Sequence, residues 1–97
     1  MILLLESVIE KRLKKEIEKI GGKALKFISP GMSGVPDRII LLPHGRIVFV
    51  ELKAPGEKRR KLQEYRAKGL EKLGFRVECI DSIEGVNRFV KELTEGR

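Results

Sequence analysis

The chain lacks tryptophan, has one tyrosine and four phenylalanines, and carries a single cysteine, Cys79. One cysteine excludes an internal disulfide and any multi-cysteine zinc site built from one chain. Flanked by Glu78 and Ile80, Cys79 reads as a small core residue of a strand, with no base nearby in sequence to make it a nucleophile. The only histidine, His44, stands between Pro43 and Gly45 in an expected turn and has no partner motif, so it is given no catalytic role. A long apolar run is also missing. The stretch from Ile2 to Leu5 stops at Glu6 before a heavily charged segment, too short for a signal sequence or a membrane span, and the chain reads as cytoplasmic. No repeat, low-complexity tract or linker interrupts it, and 97 residues with 41% hydrophobic and 36% charged content fit one globular domain, 1–97. A core of this size is near the lower limit for a single chain, and a partner subunit would help it. Acids are the scarcer charge: 14 against 21 Lys and Arg leave a net +7. Such a surplus makes a positive field suited to polyphosphates or anionic membranes, and charge alone does not choose between them.

What is present is a regular succession of patterns. Leu5, Val8, Ile9, Leu13, Ile17 and Ile20 recur at helical spacing and predict an amphipathic helix from about Leu3 to Ile20, closed by Gly21 and Gly22. Ala24 to Ile28 reads as a short strand, and Ser29 to Val35 as a glycine-rich loop that delivers Pro36 and Asp37. Arg38 to Leu42 and Arg46 to Lys53 are expected strands, joined by a hairpin turn at Pro43, His44 and Gly45. A second helix is expected from about Lys58 to Leu73, with Leu62, Tyr65, Leu70 and Leu73 inward and Gly74 as its cap. Phe75 to Ile80 alternates as a strand, and Asp81 and Ser82 start a last helix from about Ile83 to Leu93. The order αβββαβα, with an antiparallel hairpin and a helical crossover, gives an α/β fold: a mixed sheet flanked by helices.

The chemistry collects where Pro36-Asp37 meets Glu51-Leu52-Lys53. Alternation along the third strand puts Glu51 and Lys53 on one side with Ile47 and Phe49, and Val48, Val50 and Leu52 on the other. A carboxylate and an amine thus project together from an otherwise apolar strand, where an unpaired charge is costly and pairing or metal coordination relieves it. Asp37, arriving at the start of the neighbouring strand, supplies a second carboxylate. Two acids and the Leu52 main-chain carbonyl suffice for magnesium, which keeps several waters and completes its shell with substrate phosphate. A bound ion eases deprotonation of water and stabilises charge on phosphoryl oxygens, while Lys53 would orient that water or neutralise the transition state. On the first helix, Glu6 falls inside the apolar stripe and Glu10 lies one turn on at its edge. Either acid is placed to reach the site, binding a second ion or holding Lys53.

At these residues the chain resembles the PD-(D/E)xK nuclease superfamily, and its surroundings resemble the stand-alone VRR-NUC nucleases often found in phages. The similarity spans most of the chain: Glu6-Ser7, Gly21-Gly22, Lys26-Phe27, Ser33-Gly34-Val35-Pro36-Asp37-Arg38, Gly45-Arg46, the run from Phe49 to Gly56, Gln63, and Gly74-Phe75. The resemblance implies a restriction-endonuclease-like αβββαβα core with Asp37 and Glu51 as metal ligands, Lys53 as the catalytic lysine, Glu6 as the helix carboxylate and Gln63 as the glutamine that often follows the motif. It further implies magnesium or manganese dependence, 5′-phosphate products, and a homodimer acting on branched DNA such as Holliday junctions in a bacterial or phage-infected cell. Lys61-Leu62 before Gln63 departs from the commoner form, where a small or polar residue and a histidine often stand; the departure touches local phosphate contacts and not the metal site.

Plainer explanations compete at each position. On spacing alone, a surface hairpin with an ordinary ion pair is the favoured reading of Asp37, Glu51 and Lys53; the apolar strand, Glu6 and the resemblance reverse that. Glu6 also suits a helix-start acid answering the macrodipole. Lys58, Arg59, Arg60 and Lys61 are either a solvated helix end or a flank for scissile DNA, binding phosphate with steep salt dependence and no sequence readout. Ser33 and Gly34 either bring main-chain amides to a phosphate or form a plain turn. Two further classes remain beside the nuclease: a non-catalytic basic nucleic-acid-binding module, and the nuclease subunit of a larger restriction or repair complex. Neither requires Glu6, Asp37, Glu51 and Lys53 together.

Overall fold

The stripe Ile9, Leu13 and Ile17 is fully buried, and around it winds α1, Glu6–Lys19. The computed structural model describes residues 5–95, so the expected helix start at Leu3 and the apolar residues before Leu5 lie outside the described residues. Gly21, at φ +87°, takes the left-handed conformation that lets the Gly21 and Gly22 amides return to the Glu18 and Ile17 carbonyls, a Schellman end. Then come β1 (Lys23–Lys26), β2 (Arg38–Leu42), β3 (Arg46–Leu52), α2 (Lys61–Lys72), β4 (Arg76–Ile80) and α3 (Ile83–Thr94). The αβββαβα order is the one the sequence predicts. Between β2 and β3 the turn Pro43–Gly45 is a short 3-10 element with His44 and Gly45 both at positive φ, so His44 shapes the hairpin.

The sheet runs β1-β2-β3-β4, antiparallel between the first three strands and parallel between β3 and β4, which α2 connects as a crossover. One face carries Ile40, Leu42, Val48, Val50, Leu52 and Ile80 against α1 and against Val86, Phe89, Val90 and Leu93 of α3. Ser82 caps α3 by accepting from the Gly85 amide at 2.9 Å. The other face is thinner: Phe49, Ala67 and Val77 are buried there, with Phe27, Ile39, Leu70 and Phe75 packed around them. Phe49 stacks between Phe27 and Phe75, at 5.6 and 5.4 Å.

Four expectations shift. β1 is Lys23–Lys26 and ends before Ile28, and α2 begins at Lys61, which leaves Lys58, Arg59 and Arg60 in the segment leading into the helix. Of the four residues expected inward on α2, only Leu70 packs on the sheet; Leu62, Tyr65 and Leu73 are exposed, and Ala67 is the buried contact. The small residue wins because α2 lies close over Phe49 and Val77. Cys79 is exposed and outside the core, since it shares the sheet face of Val77 at the end that α2 leaves open. Among the described residues no helix is long and apolar enough to cross a membrane.

Two glycines separate strain from idleness. Gly34 has φ +85°, and a Cβ there would lie 2.7 Å from Leu62 Cγ, whereas a Cβ at Gly69 in mid-α2 would meet nothing within 4 Å. Gly34→Ala is expected to lower stability by about 1–2 kcal/mol, and Gly69→Ala to raise it by about 1 kcal/mol. Urea unfolding midpoints check both.

Candidate active site

The site forms where β2 runs out beside β3. The antiparallel register ends at Arg38 opposite Val50, so the Leu52 amide has no β2 residue across from it. Asp37 takes that amide instead, accepting from Leu52 N at 3.0 Å through Oδ1 and 3.4 Å through Oδ2. The Asp37 carbonyl is held from both sides, by the Phe27 amide at 2.9 Å and by Arg38 Nη1 at 3.1 Å. Arg38, itself buried, also pairs with Glu10 on α1. Glu10 is thus engaged one turn along the helix from Glu6, and the Glu10–Arg38 pair fixes α1 against the first residue of β2, next to Asp37.

Glu51 is the most deeply placed acid of the site, with 4% of its surface exposed. Burial, and then the charge of Asp37, push its carboxyl up to about 7, opposed by the cations of Lys53 and Arg59. Asp37 is raised as well, by burial first, against the Leu52 amide and the charges of Arg38 and Lys53. Gln63 reaches down from the first turn of α2: its Nε2 donates to Glu51 Oε2 at 3.0 Å while its Oε1 accepts from the Arg60 amide at 2.8 Å. Lys53 continues past the end of β3, its amide donating to the Ile80 carbonyl at 2.9 Å. The charge of Glu6 is also felt at Glu51, from the exposed first turn of α1.

The structure joins Gln63 to Glu51 by a hydrogen bond, with Asp37, Lys53, Arg59 and Glu6 all within electrostatic reach of that carboxyl. Lys58, Arg60 and Lys61 stand exposed at the start of α2, on the flank of the site. Ser33 is exposed and its carbonyl accepts from Arg66 Nε at 2.8 Å, while Gly34 lies against Leu62; neither contact uses the main-chain amides of the pair. Sequence reasoning missed the Glu10–Arg38 pair, the Leu52 amide as partner of Asp37, and Cys79 directly across the ladder from Glu51. Only the strand register reveals the last, and pairing register between distant strands leaves no local trace.

The donor set fits a hard divalent cation. Two carboxylates stand in a partly desolvated corner where burial raises both and the charge of Asp37 raises the cost of ionising Glu51, and a cation between them would remove that cost. Among the described residues no three His, Cys, Asp or Glu side chains stand together as a ready cage for a metal.

The fold and the paired acids at one end of its two central strands define a restriction-endonuclease-like α/β domain. In sequence the chain is 52% identical over 82 residues to a protein named putative nuclease p44 from Acyrthosiphon pisum secondary endosymbiont phage 1, covering 84% of this chain and 88% of the phage protein. In structure it matches a solved VRR_NUC domain with a TM-score of 0.83 at 31% identity, covering 89% of this chain and 94% of that one. No protein-family model matches the chain. With these similarities the chain belongs to the VRR-NUC nuclease family.

Proposed function

We propose that the protein is a magnesium- or manganese-dependent endonuclease that hydrolyses DNA phosphodiester bonds, acting as a homodimer on branched DNA such as Holliday junctions. The observation that carries this reading is Glu51, buried and raised toward neutrality beside Asp37. Asp37 and Glu51 would hold the ion together with the Leu52 carbonyl, and Glu6 is the acid placed to add to them. When bound, such an ion eases the deprotonation of water and stabilises charge on the phosphoryl oxygens.

The chain's own residues supply the rest. The Leu52 amide orients the Asp37 carboxylate, and Gln63 Nε2 fixes Glu51 Oε2, so both acids are set before substrate arrives. The Lys53 ammonium offsets negative charge developing on the scissile phosphate. Arg59, with Lys58, Arg60 and Lys61, grips flanking phosphates without reading bases. Family likeness supports branched DNA and the homodimer, and a four-way junction offers two symmetric scissile strands that a twofold dimer matches.

Cleavage of a panel of four-way junctions, flaps, splayed arms and linear duplexes tests the proposal. Magnesium and manganese are expected to support incision, and chelator to abolish it. Calcium is expected to support binding without turnover. DNA affinity with no metal-dependent cleavage of any substrate would overturn the reading in favour of a binding module, and activity appearing only with a partner protein would favour a nuclease subunit.

A further inference from the structure

The outer side of α2 is unlike an ordinary wet helix face. A groove of about 580 Å³ runs between α2 and the loop that follows β1. Phe27, Met32, Val35, Tyr65, Leu70 and Leu73 line it. Three of these are open to solvent, Met32 at 47%, Tyr65 at 68% and Leu73 at 74%. Apolar side chains left so exposed on one face mark a surface that something covers.

The rim of the groove selects what that is. Arg66, Lys68 and Lys72 line it, and no acid does. At 100° per residue Lys61, Lys68 and Lys72 fall side by side along one flank of the Tyr65–Leu73 stripe, with Arg66 on the other. Glu64 and Glu71 lie further round the helix and outside the lining, so an occupant of the groove itself meets cations alone, which favours a polyanion. An apolar, partly aromatic trough between two positive banks has the chemistry of unpaired nucleotides, with bases on the floor and phosphates at the rims. Tyr65 is suited to stack: the Arg66 guanidinium lies 5.5 Å from its ring centroid, and Arg66 is itself tied to the Ser33 carbonyl at 2.8 Å. The platform is held on both walls of the groove.

The groove and the active site are built from the same two segments, although no active-site side chain lines the groove. The loop continues from Val35 to Asp37, and α2 begins with Gln63 on Glu51. Ten residues of helix from Gln63 to Leu73 span about 15 Å, so the far end of the trough lies within one short helix of the Glu51 contact.

We propose that this groove binds a single-stranded segment of nucleic acid next to the point of cleavage, with Tyr65 as its base-stacking platform. The inference rests on the nuclease reading only for the origin of that strand. Its chemical partner is an unpaired nucleotide run, which a perfect duplex does not offer.

The test uses the whole protein in chelator, with two probes of equal length and charge: an oligothymidylate and an abasic deoxyribose-phosphate oligomer. Tyr65 is the only tyrosine and tryptophan is absent, so intrinsic emission reports this one ring. Oligothymidylate is expected to quench it and the abasic oligomer to leave it unchanged. By fluorescence anisotropy, Tyr65→Ala is expected to weaken oligothymidylate binding roughly tenfold while leaving the abasic oligomer unaffected, and Tyr65→Phe is expected to restore the loss. Equal affinity for the two probes, or no quenching at saturation, would overturn the proposal. So would light scattering that shows a dimer dissociated by Tyr65→Ala and Leu73→Glu, which would give the groove to a second copy. Branched-DNA cleavage that persists while these experiments fail sinks the groove alone; stacking that persists without metal-dependent cleavage sinks the catalytic assignment alone.

Discussion

Lys53→Ala is expected to lower single-turnover cleavage by roughly two to three orders of magnitude, the loss that follows removal of one preorganised group that stabilises transition-state charge. Lys53 is only half-buried, and its amide, not its side chain, ties β3 to the Ile80 carbonyl. The variant should therefore fold as the parent does and bind DNA almost as well, having lost one cation of 21 Lys and Arg. The loss falls on the chemical step, and kcat moves far more than KM. Asp37→Ala removes cleavage at least as completely, for two reasons. One proposed ion ligand disappears, and the Leu52 amide that Asp37 accepts at 3.0 Å loses its partner at the end of the strand carrying Glu51. This variant is expected to be destabilised as well, by about 1–3 kcal/mol for an amide left unsatisfied. Rapid-quench cleavage of the best substrate, with circular dichroism melting of each variant, checks both; full activity of either would remove the catalytic assignment.

The parts of this fold that are local are legible in the sequence. Apolar spacing placed α1 and α3, β2 was expected at the Arg38–Leu42 it occupies, and the glycines after α1 and α2 end their helices as left-handed caps do. Glu51 and Lys53 could be put on one side of a strand, with Asp37 at the start of its neighbour, because alternation and a short hairpin leave little freedom. What was not legible depends on distance in sequence. The inward face of α2 was misread since Leu62, Tyr65 and Leu73 have helical spacing, and nothing local says that the sheet would accept Ala67 and leave those three to solvent. Cys79 looked like core for the same reason: its strand alternates correctly, but α2 stops short of covering the end of the sheet where Glu51 lies. The Glu10–Arg38 pair joins residues far apart in sequence and needs the packing of α1 on β2 before it has any meaning. In each case the departure lies beside the acids or the groove, where the fold leaves surface uncovered.

Glu51→Gln is expected to make the metal-free protein more stable above neutral pH while removing cleavage. The sign follows from the direction of the shift. Glu51 is raised from 4.5 to about 7 in the folded chain, so the folded state holds this proton more tightly than the unfolded one. The stability tied to that proton is full below pH 4.5, and it is lost as pH rises through 7. The difference amounts to on the order of 3 kcal/mol at pH 8 and above. Asp37 is raised too, so its contribution runs the same way and deepens the decline. Glutamine has no proton to lose, keeps nearly the same volume, and leaves an amide that can still meet Gln63. In chelator, the urea midpoint of the parent should therefore fall between pH 5 and pH 8 more steeply than that of Glu51→Gln, and the two curves should separate on the alkaline side. Magnesium is expected to restore the parent by binding the ionised pair, and to do little for the variant. Parallel stability curves with and without magnesium would mean that Glu51 carries no such burden and that the carboxylates do not share an ion. A variant that is more stable, inactive and indifferent to magnesium would locate the stored electrostatic cost at the position where the ion is needed.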